Sequence, residues 1–245
     1  MYNFIDLHCH ALFGVDDGAN DFDTSKRMLQ IAYNDGIKTI CFTPHFKIHK
    51  FEDDNDIEEY NDRLVQNLER LKEYTKEALP DMTLLLGNEI MFHSDISSSI
   101  SSKKCRTINQ GTYALIEFRP NTSKFDIQNS ISRLTRKGYK PIIAHIERYT
   151  AFANSFSFLR EIKELGASLQ INAGSITKFK IGKTARLIKK ALKHQLVDII
   201  STDAHDDKVI IPCLSKAHKK VEKLYGKDYA KKLFHDNAFS IINND

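Results

Sequence analysis

Two histidines at the end of the first apolar segment are the earliest residues in the chain that could do chemistry. Residues 4–7 form a short, mostly apolar run of the kind that makes a buried strand, and His8 and His10 follow at its end. Because side chains at positions i and i+2 of a strand point to the same side, both imidazoles would face one point. Asp16 and Asp17 follow in a loop bounded by glycines and add carboxylates. The combination is a candidate metal site, although imidazoles also cap strand ends and fill cores.

The later strand-like segments also end in residues that can bind metals. Taken singly, each has an ordinary explanation, because a glutamate after a strand is commonly a solvated charge at a helix start, and an Asp-x-His is commonly a turn with a surface imidazole. Their recurrence after nearly every strand instead indicates one multinuclear metal centre. The candidate ligands are His8, His10, Asp16 or Asp17, His45, Glu89, Glu117, His145, Asp203 and His205.

The composition of this set predicts the reaction. Five histidines with several carboxylates exceed the four ligands of one tetrahedral zinc, and mixed nitrogen and oxygen ligands suit zinc, manganese or iron. At least one carboxylate, Glu89 or Asp203, should bridge two ions. Two ions about 3.5–4 Å apart generate hydroxide from water and clamp the oxygens of an in-line displacement at phosphorus. Hydrolysis of a phosphate ester is therefore the predicted chemistry.

The elements that must position these residues alternate between strand and helix about seven times. Helical spacing of apolar residues covers 57–78, 125–136, 156–165 and 183–194, with strand-like runs between them and two further helices predicted at 214–225 and 228–235. Alternation of this kind predicts an α/β fold with a parallel sheet, and near-continuous apolar strands indicate a barrel whose chemistry lies on one rim. A doubly wound open sheet is the alternative, but no Gly-x-Gly-x-x-Gly follows a strand.

Composition excludes several other classes of protein. The 245 residues suit one domain, predicted to span 1–245, and the net charge of +4 is too small to indicate nucleic-acid binding. The chain shows no signal sequence and no apolar run long enough to cross a membrane, so a reduced, cytoplasmic protein without membrane insertion is expected. The four cysteines are scattered without a Cys-x-x-Cys pair, which argues against a disulfide framework and a zinc knuckle.

The cysteines also exclude one route to phosphatase activity. A cysteine-based tyrosine phosphatase needs a low-pKa thiolate and an arginine about six residues later. The residues at that position after Cys9, Cys41, Cys105 and Cys213 are Val15, Lys47, Gly111 and Lys219. Cys9 and Cys41 belong to predicted buried strands and are expected to be structural.

Six short motifs together resemble one known superfamily. They are Ile-Asp-Leu-His-Cys-His at 5–10, Thr-Pro-His at 43–45, Gly-Asn-Glu at 87–89, His-Ile-Glu-Arg-Tyr at 145–149, Gln-Ile-Asn-Ala-Gly-Ser at 170–175 and Thr-Asp-Ala-His at 202–205. The set resembles the PHP (polymerase and histidinol phosphatase) superfamily. Within it, the set is similar to the bacterial CpsB/YwqE-type protein-tyrosine phosphatases that regulate capsule and exopolysaccharide synthesis.

The resemblance implies a distorted (β/α)7 barrel of the PHP type, similar to a TIM barrel, with two or three divalent ions, usually manganese, with iron or zinc as alternatives. It implies three ligand groups. The first is His8, His10, Glu89 and Asp203, the second is Glu89, Glu117 and His145, and the third is His45, His205 and an aspartate. Asp17 is chosen as that aspartate because it precedes Gly18, and Asp16 is the alternative.

The resemblance also implies roles in catalysis. Arg148 would bind the substrate phosphate and stabilise its charge in the transition state, the alternative being a solvated or ion-paired arginine. A metal-bridging hydroxide would attack phosphorus, and His45 or a metal-bound water would assist the leaving phenol. The family often has a second arginine shortly after the Asp-x-His, whereas this chain has Lys208 in that stretch, which can supply a point charge but no planar fork.

The resemblance implies a substrate class as well. The predicted substrate is phosphotyrosine on a partner protein, such as the tail of a bacterial tyrosine kinase of polysaccharide export. The alternatives are a small-molecule phosphatase such as a histidinol phosphatase, and a barrel that binds phosphopeptide without turnover. A nuclease is disfavoured by the weak net charge and by the lack of aromatic residues near the Lys and Arg clusters. Exposed helix faces in the C-terminal third of the chain could pack against a second copy, so a homo-oligomer is compatible with the sequence.

Overall fold

Parallel strands form the frame of the molecule in the computed structural model, which describes residues 3–153, 155–178 and 181–244. Every strand pairing in this part of the chain is parallel. The strands are β1 (Phe4–Cys9), β2 (Ile37–Phe42), β3 (His45–Phe46), β4 (Thr83–Leu86), β5 (Glu89–Met91), β6 (Tyr113–Glu117), β7 (Lys140–Ile143), β8 (Ser168–Asn172) and β9 (Ile199–Ser201).

Two of the strands extend their predecessors, so the frame has seven strand positions. The pairing order is β1-β2-β4 in one sheet and β3-β5-β6-β7-β8-β9 in the other. Because β3 follows β2 after Pro44, and β5 follows β4 after Asn88, the second sheet continues the first. Pro44 lies in the break between β2 and β3, where its missing N–H removes no ladder hydrogen bond.

Backbone hydrogen bonds between β1 and the segment after β9 close the ring. Asp203 N donates to His8 O and His10 N donates to Ala204 O, both at 2.8 Å. Cys9 and Ala204 form a parallel bridge at the same place. The predicted (β/α)7 barrel is therefore confirmed, and the open-sheet alternative is wrong.

Helices cover the outside of the barrel. Three of them begin at a side chain that accepts a backbone N–H, namely Asp21, Asp53 and Ser123, as helix N-caps do. The helices are α1 (Phe22–Asp35), α2 (Asp54–Ala78), α3 (Ile96–Ser101), α4 (Lys124–Arg136), α5 (Thr150–Ala153), α6 (Phe156–Glu164), α7 (Ala173–Lys178), α8 (Lys183–Lys193), α9 (Ser215–Tyr225), α10 (Lys227–Lys231) and α11 (Asn237–Asn243). None of the described helices is long and apolar enough to span a bilayer.

Two hydrophobic cores explain why the strands read as almost continuously apolar. The outer core lies between the strands and the helices. The inner core joins residues from strands on opposite sides of the barrel, such as Ile5, Leu115 and Ile199, with Ala238 and Ile241 of α11. Both faces of each strand are thus buried, as expected for a parallel barrel. α11 closes the barrel at the end opposite to the strand carboxyl ends.

A β-bulge in β1 controls the direction of the first histidine. β1 has one residue more than β2 between Asp6 and Cys9, whose partners are Ile40 and Phe42. A bulge of this kind interrupts the alternation of side chains and re-aims one of them. Leu7 packs in the inner core, Cys9 packs in the outer core, and His8 and His10 both point toward the other candidate ligands.

The C-terminal helices differ from the prediction. The helix expected at 214–225 is α9, but the one expected at 228–235 is interrupted by a π-helical turn at Lys232–Asp236 and continues as α11. The π-helical turn contains one extra residue, which shifts the apolar residues after it out of the regular helical periodicity. The helix predicted from that periodicity therefore ended too early, at residue 235. The Ser-rich segment 94–102 contains the short helix α3.

Truncating the side chain that α11 inserts into the inner core should destabilise the barrel. Ile241 is 4% exposed, and we expect Ile241→Ala to lower the free energy of unfolding by about 2–4 kcal/mol because it leaves a cavity. Phe239 on the same helix is 50% exposed, so Phe239→Ala should change it by less than about 1 kcal/mol. Urea denaturation of both variants tests this, and equal effects would contradict the buried position of Ile241.

Candidate metal centre

The structure brings all of the predicted ligands together at the carboxyl ends of the strands. They form four overlapping groups, in each of which the ligand atoms lie within 4.8 Å of one another. The groups are His10, Asp17, His45 and His205; His8, His145 and Asp203; His8, His10 and Glu89; and His45, Glu89 and Glu117. This convergence follows from the barrel, since parallel strands deliver their following residues to one rim.

Two carboxylates lie in the middle of the set. Glu89 Oε1 is 2.8 Å from His145 Nε2, and Glu89 Oε2 is 2.9 Å from His45 Nδ1. Asp203 Oδ1 lies 3.2 Å from His8 Nε2 and 3.4 Å from His10 Nε2. Each carboxylate therefore faces more than one imidazole, the arrangement that a bridging ligand requires.

The donor set fits divalent cations. Glu89 Oε2, Glu117 Oε2, Asp203 Oδ1 and His45 Nδ1 are buried and have no hydrogen-bond partner in the described part of the chain. His45 Nδ1 and Glu89 Oε2 are close, but they are not oriented as donor and acceptor. Buried polar atoms normally have partners, so several unsatisfied atoms facing one space indicate a group that binds there. Imidazole nitrogen and carboxylate oxygen are ligands that suit zinc, manganese and iron.

His8, Glu89 and Asp203 stabilise each other in their charged forms. Burial by itself would raise the pKa of Glu89, but the positive charge of His8 and hydrogen bonds from other imidazoles hold that pKa well below its usual range. Burial would lower the pKa of His8, but Glu89 and Asp203 raise it to about 10. An imidazole must be neutral to bind a metal, so metal binding must displace the proton that His8 holds, and affinity should weaken as pH falls.

The two neighbouring aspartates have different places. Asp17 Oδ1 is 3.3 Å from His45 Nε2 and 3.8 Å from His205 Nε2, among the outermost ligand atoms. Asp16 lies behind His10, with Oδ2 2.7 Å from His10 Nδ1, and it also accepts the backbone N–H of His45. Asp17 therefore lies among the outer candidate ligands, and Asp16 lies where it can orient the ring of His10.

Removing the charge of Asp16 should weaken metal binding without removing a ligand. We expect Asp16→Asn to lower the affinity for manganese about 10- to 100-fold, because the carboxylate no longer fixes the ring and tautomer of His10. Isothermal titration calorimetry measures this change. Asp23→Asn, at an exposed position in the first turn of α1, is the matched control and should leave the affinity unchanged. An unchanged affinity in Asp16→Asn would show that the contact to His10 is dispensable.

Sequence reasoning assigned no role to a polar chain in β8 that supports three of the predicted ligands. Gln170 Oε1 accepts the N–H of His145 at 2.7 Å and lies 3.3 Å from His8 Nδ1. Gln170 Nε2 donates to Asn172 Oδ1, and Asn172 Nδ2 donates to Asp203 Oδ2. The sequence of β8 did contain a signal for these contacts, because two amide side chains in a buried strand are unusual unless they are hydrogen-bonded.

Arg148 lies at the edge of the ligand set. Its Nη2 is 2.5 Å from Asp203 Oδ2, and its side chain is 47% exposed. It borders a cavity of about 380 Å³ that is lined by five of the predicted ligands together with Lys47, Met91, Arg148 and Ile210. Lys47 is a cation that the sequence analysis did not single out. Lys208, considered there as a replacement for a second arginine, does not line this cavity.

Several known proteins resemble this chain in sequence. A sequence model for the family described as "Capsular polysaccharide synthesis, CpsB/CapC" matches residues 4–243. The tyrosine-protein phosphatase CpsB of Streptococcus pneumoniae is 34% identical over 97% of this chain and 98% of its own. The tyrosine-protein phosphatase YwqE of Bacillus subtilis is 30% identical over 98% of this chain and 92% of its own.

Solved structures resemble the chain as well. One solved structure comes from a description of YwqE from Bacillus subtilis and CpsB from Streptococcus pneumoniae as "unique metal-dependent tyrosine phosphatases". It superposes on this chain with a TM-score of 0.85 at 28% identity, and the match covers 98% of this chain and 95% of the other. Histidinol phosphate phosphatase from Lactococcus lactis has a TM-score of 0.51 at 15% identity, covering 91% and 94%, so it shares the fold alone.

Proposed function

Because this chain belongs to the CpsB/CapC family of capsular polysaccharide synthesis, we propose that it is a metal-dependent phosphatase that hydrolyses phosphotyrosine in proteins. The observation that carries the proposal is the convergence of nine nitrogen and oxygen ligands, four of whose buried atoms lack a partner in the described residues. Phosphoester hydrolysis is a reaction for which such multinuclear sites are suited.

The proposed ligand groups follow the geometry of the site. His8, His10, Glu89 and Asp203 would hold one ion; Glu89, Glu117 and His145 a second; and Asp17, His45 and His205 a third. The distance of 3.6 Å between His145 Nε2 and Glu117 Oε1 supports the second group, and the short distances from Asp17 to His45 and His205 support the third. Manganese is proposed first, with iron and zinc as alternatives that share the same donor chemistry.

The chain's own residues would bind and orient the phosphate. Divalent ions held here would supply Lewis-acid activation of water and of the phosphoryl oxygens. Arg148 lines the cavity over the ligands, and its planar guanidinium can donate two hydrogen bonds to phosphate oxygens. Both ring nitrogens of His45 face carboxylates, so its predicted role as an acid for the leaving phenol is an alternative to its role as a ligand.

The depth of the site supports tyrosine as the phosphorylated residue. His8, His10, Glu89 and Asp203 are all 1% exposed or less, so a phosphate that contacts them lies below the surface of the barrel. A phosphotyrosine side chain is long enough to reach such a depth while the peptide stays at the rim, whereas a phosphoserine side chain is shorter by the length of the ring. We therefore place the substrate among phosphotyrosine proteins, such as the tail of a bacterial tyrosine kinase.

A comparison of three substrates tests the proposed function. With manganese present, the purified protein should hydrolyse a phosphotyrosine peptide with a kcat/KM at least about tenfold above that for the matching phosphoserine peptide and for histidinol phosphate. A preference for histidinol phosphate would replace the proposal with a small-molecule phosphatase. Saturable binding of phosphotyrosine peptide without release of phosphate would replace it with a binding module.

Other parts of the prediction remain proposals. One domain over residues 1–245 is supported by the outer core, which runs from β1 to the C-terminal helices. A cytoplasmic location accords with four cysteines that are free thiols in the structure. A homo-oligomer would need an apolar contact surface, and Leu224 and Phe239 are the exposed apolar residues in the C-terminal helices. Binding of nucleic acid is not proposed.

A further inference from the structure

A second cavity adjoins the one that lies over the predicted ligands. It has a volume of about 520 Å³, within the range of ligand-sized sites, and it extends along Pro120 and the start of α8. Arg148 and Ile210 line both cavities. The two spaces therefore meet at a boundary formed by one cationic side chain and one apolar side chain.

The loop after His205 holds Ile210 at this boundary. Asp206 accepts the backbone N–H groups of Lys208, Val209 and Ile210, and Ile210 O accepts the N–H of His205 at 3.0 Å. These hydrogen bonds hold the backbone of the loop in one conformation, although the side chains of residues 208–210 are exposed. Ile210 is 40% exposed and lines both cavities, so its side chain is accessible to an apolar group of a bound ligand.

The route of a bound phosphate ester leads past Ile210. Arg148 can contact phosphate oxygens in the smaller cavity, and its other side faces the larger one. The organic group of a phosphate ester that extends from the phosphate on that side would pass between Arg148 and Ile210. Beyond them, the hydroxyls of Ser175 and Thr184 and the ammonium of Lys178 line the larger cavity and can donate to carbonyl oxygens of a peptide.

Resting on the proposed function, we infer that Ile210 and the larger cavity form the subsite for the aromatic ring of phosphotyrosine. Arg148 holds the phosphate at the boundary, Ile210 packs against one face of the ring, and the peptide main chain continues toward Ser175 and Lys178. Ile210 is thus a specificity-determining residue, because its contact is available to an aryl ester and unavailable to a short alkyl ester.

Two phosphonates separate the ring subsite from the phosphate site. Phenylphosphonate and methylphosphonate share a headgroup and are not hydrolysed, so their dissociation constants on the manganese-loaded protein can be measured by calorimetry. We expect Ile210→Ala to weaken phenylphosphonate about tenfold and methylphosphonate less than about twofold. Ile210→Leu should retain most of the affinity for phenylphosphonate.

Two control variants complete the test. Val209 is in the same loop, is 73% exposed and lines neither cavity, so Val209→Ala should change neither dissociation constant. Met91 lines the smaller cavity and not the larger one. A selective loss of phenylphosphonate affinity in Met91→Ala, with none in Ile210→Ala, would overturn the inference and leave the proposed function intact. Binding of neither phosphonate by the unmodified protein would overturn both.

Discussion

Replacing Glu89 with glutamine should abolish both metal retention and catalysis. Glu89 is the carboxylate that faces the largest number of imidazoles, with contacts to His8, His10, His45 and His145 at 2.8–3.5 Å. Glutamine has nearly the same shape but no negative charge, so it cannot bridge two cations. We expect the rate on a phosphotyrosine peptide to fall by at least about a thousandfold, and bound manganese to fall below one ion per chain.

Metal content by mass spectrometry and steady-state rates measure the two effects together. Glu69→Gln is the matched control, because Glu69 pairs with Lys72 on the exposed face of α2 and should affect neither quantity. Full metal content with full activity in Glu89→Gln would mean that the central carboxylate is not a ligand. The two proposed ion positions that share Glu89 would then be wrong.

Replacing Arg148 with lysine should impair catalysis while leaving the metal in place. Lysine keeps the charge but loses the planar fork, and removal of one such transition-state donor typically costs about a hundred- to a thousandfold in rate. Arg148 also contacts Asp203, so a structural role must be separated from a role in phosphate binding. We expect kcat/KM to fall by about a hundredfold with unchanged manganese content.

The two roles of Arg148 predict different results. If it serves mainly to hold Asp203, then Arg148→Lys should lose manganese and lower the melting temperature together. Arg160→Lys, on α6 away from the ligand set, controls for the general effect of the substitution. A loss of metal in Arg148→Lys that parallels the loss of activity would contradict a direct contact with the phosphate.

The positions of the proposed ligands could be predicted from the sequence because most of them follow strands that the fold makes recognisable. A strand is a short apolar run, and the residue after it lies on the rim, so His145 and Glu117 could be placed without knowing their neighbours. The choice between Asp16 and Asp17 was different. Both belong to the same loop, and only the three-dimensional path shows that Asp16 turns toward His10 Nδ1.

Contacts between distant segments could not be predicted in the same way. The hydrogen bonds between Gln170 and His145 and between Asn172 and Asp203 join residues that are 25 and 31 positions apart. Periodicity carries no information about such pairs. The interrupted C-terminal helix escaped prediction because the π-helical turn at Lys232–Asp236 changes the helical phase before Ala238 and Ile241, which pack in the inner core.

The extra residue in β1 makes the length of that strand as important as its composition. The extra residue interrupts the alternation of side chains, so the neighbours Leu7 and His8 can both face the interior of the barrel, Leu7 in the inner core and His8 among the proposed ligands. Regular alternation in a segment one position shorter would leave room for only one of these two inward-facing side chains. A variant without Leu7 would keep every histidine but would lose one side chain of the inner core. The number of residues before His8 is therefore constrained by packing as well as by the ligands, and a search that counts ligand residues without counting the intervals between them would miss this constraint.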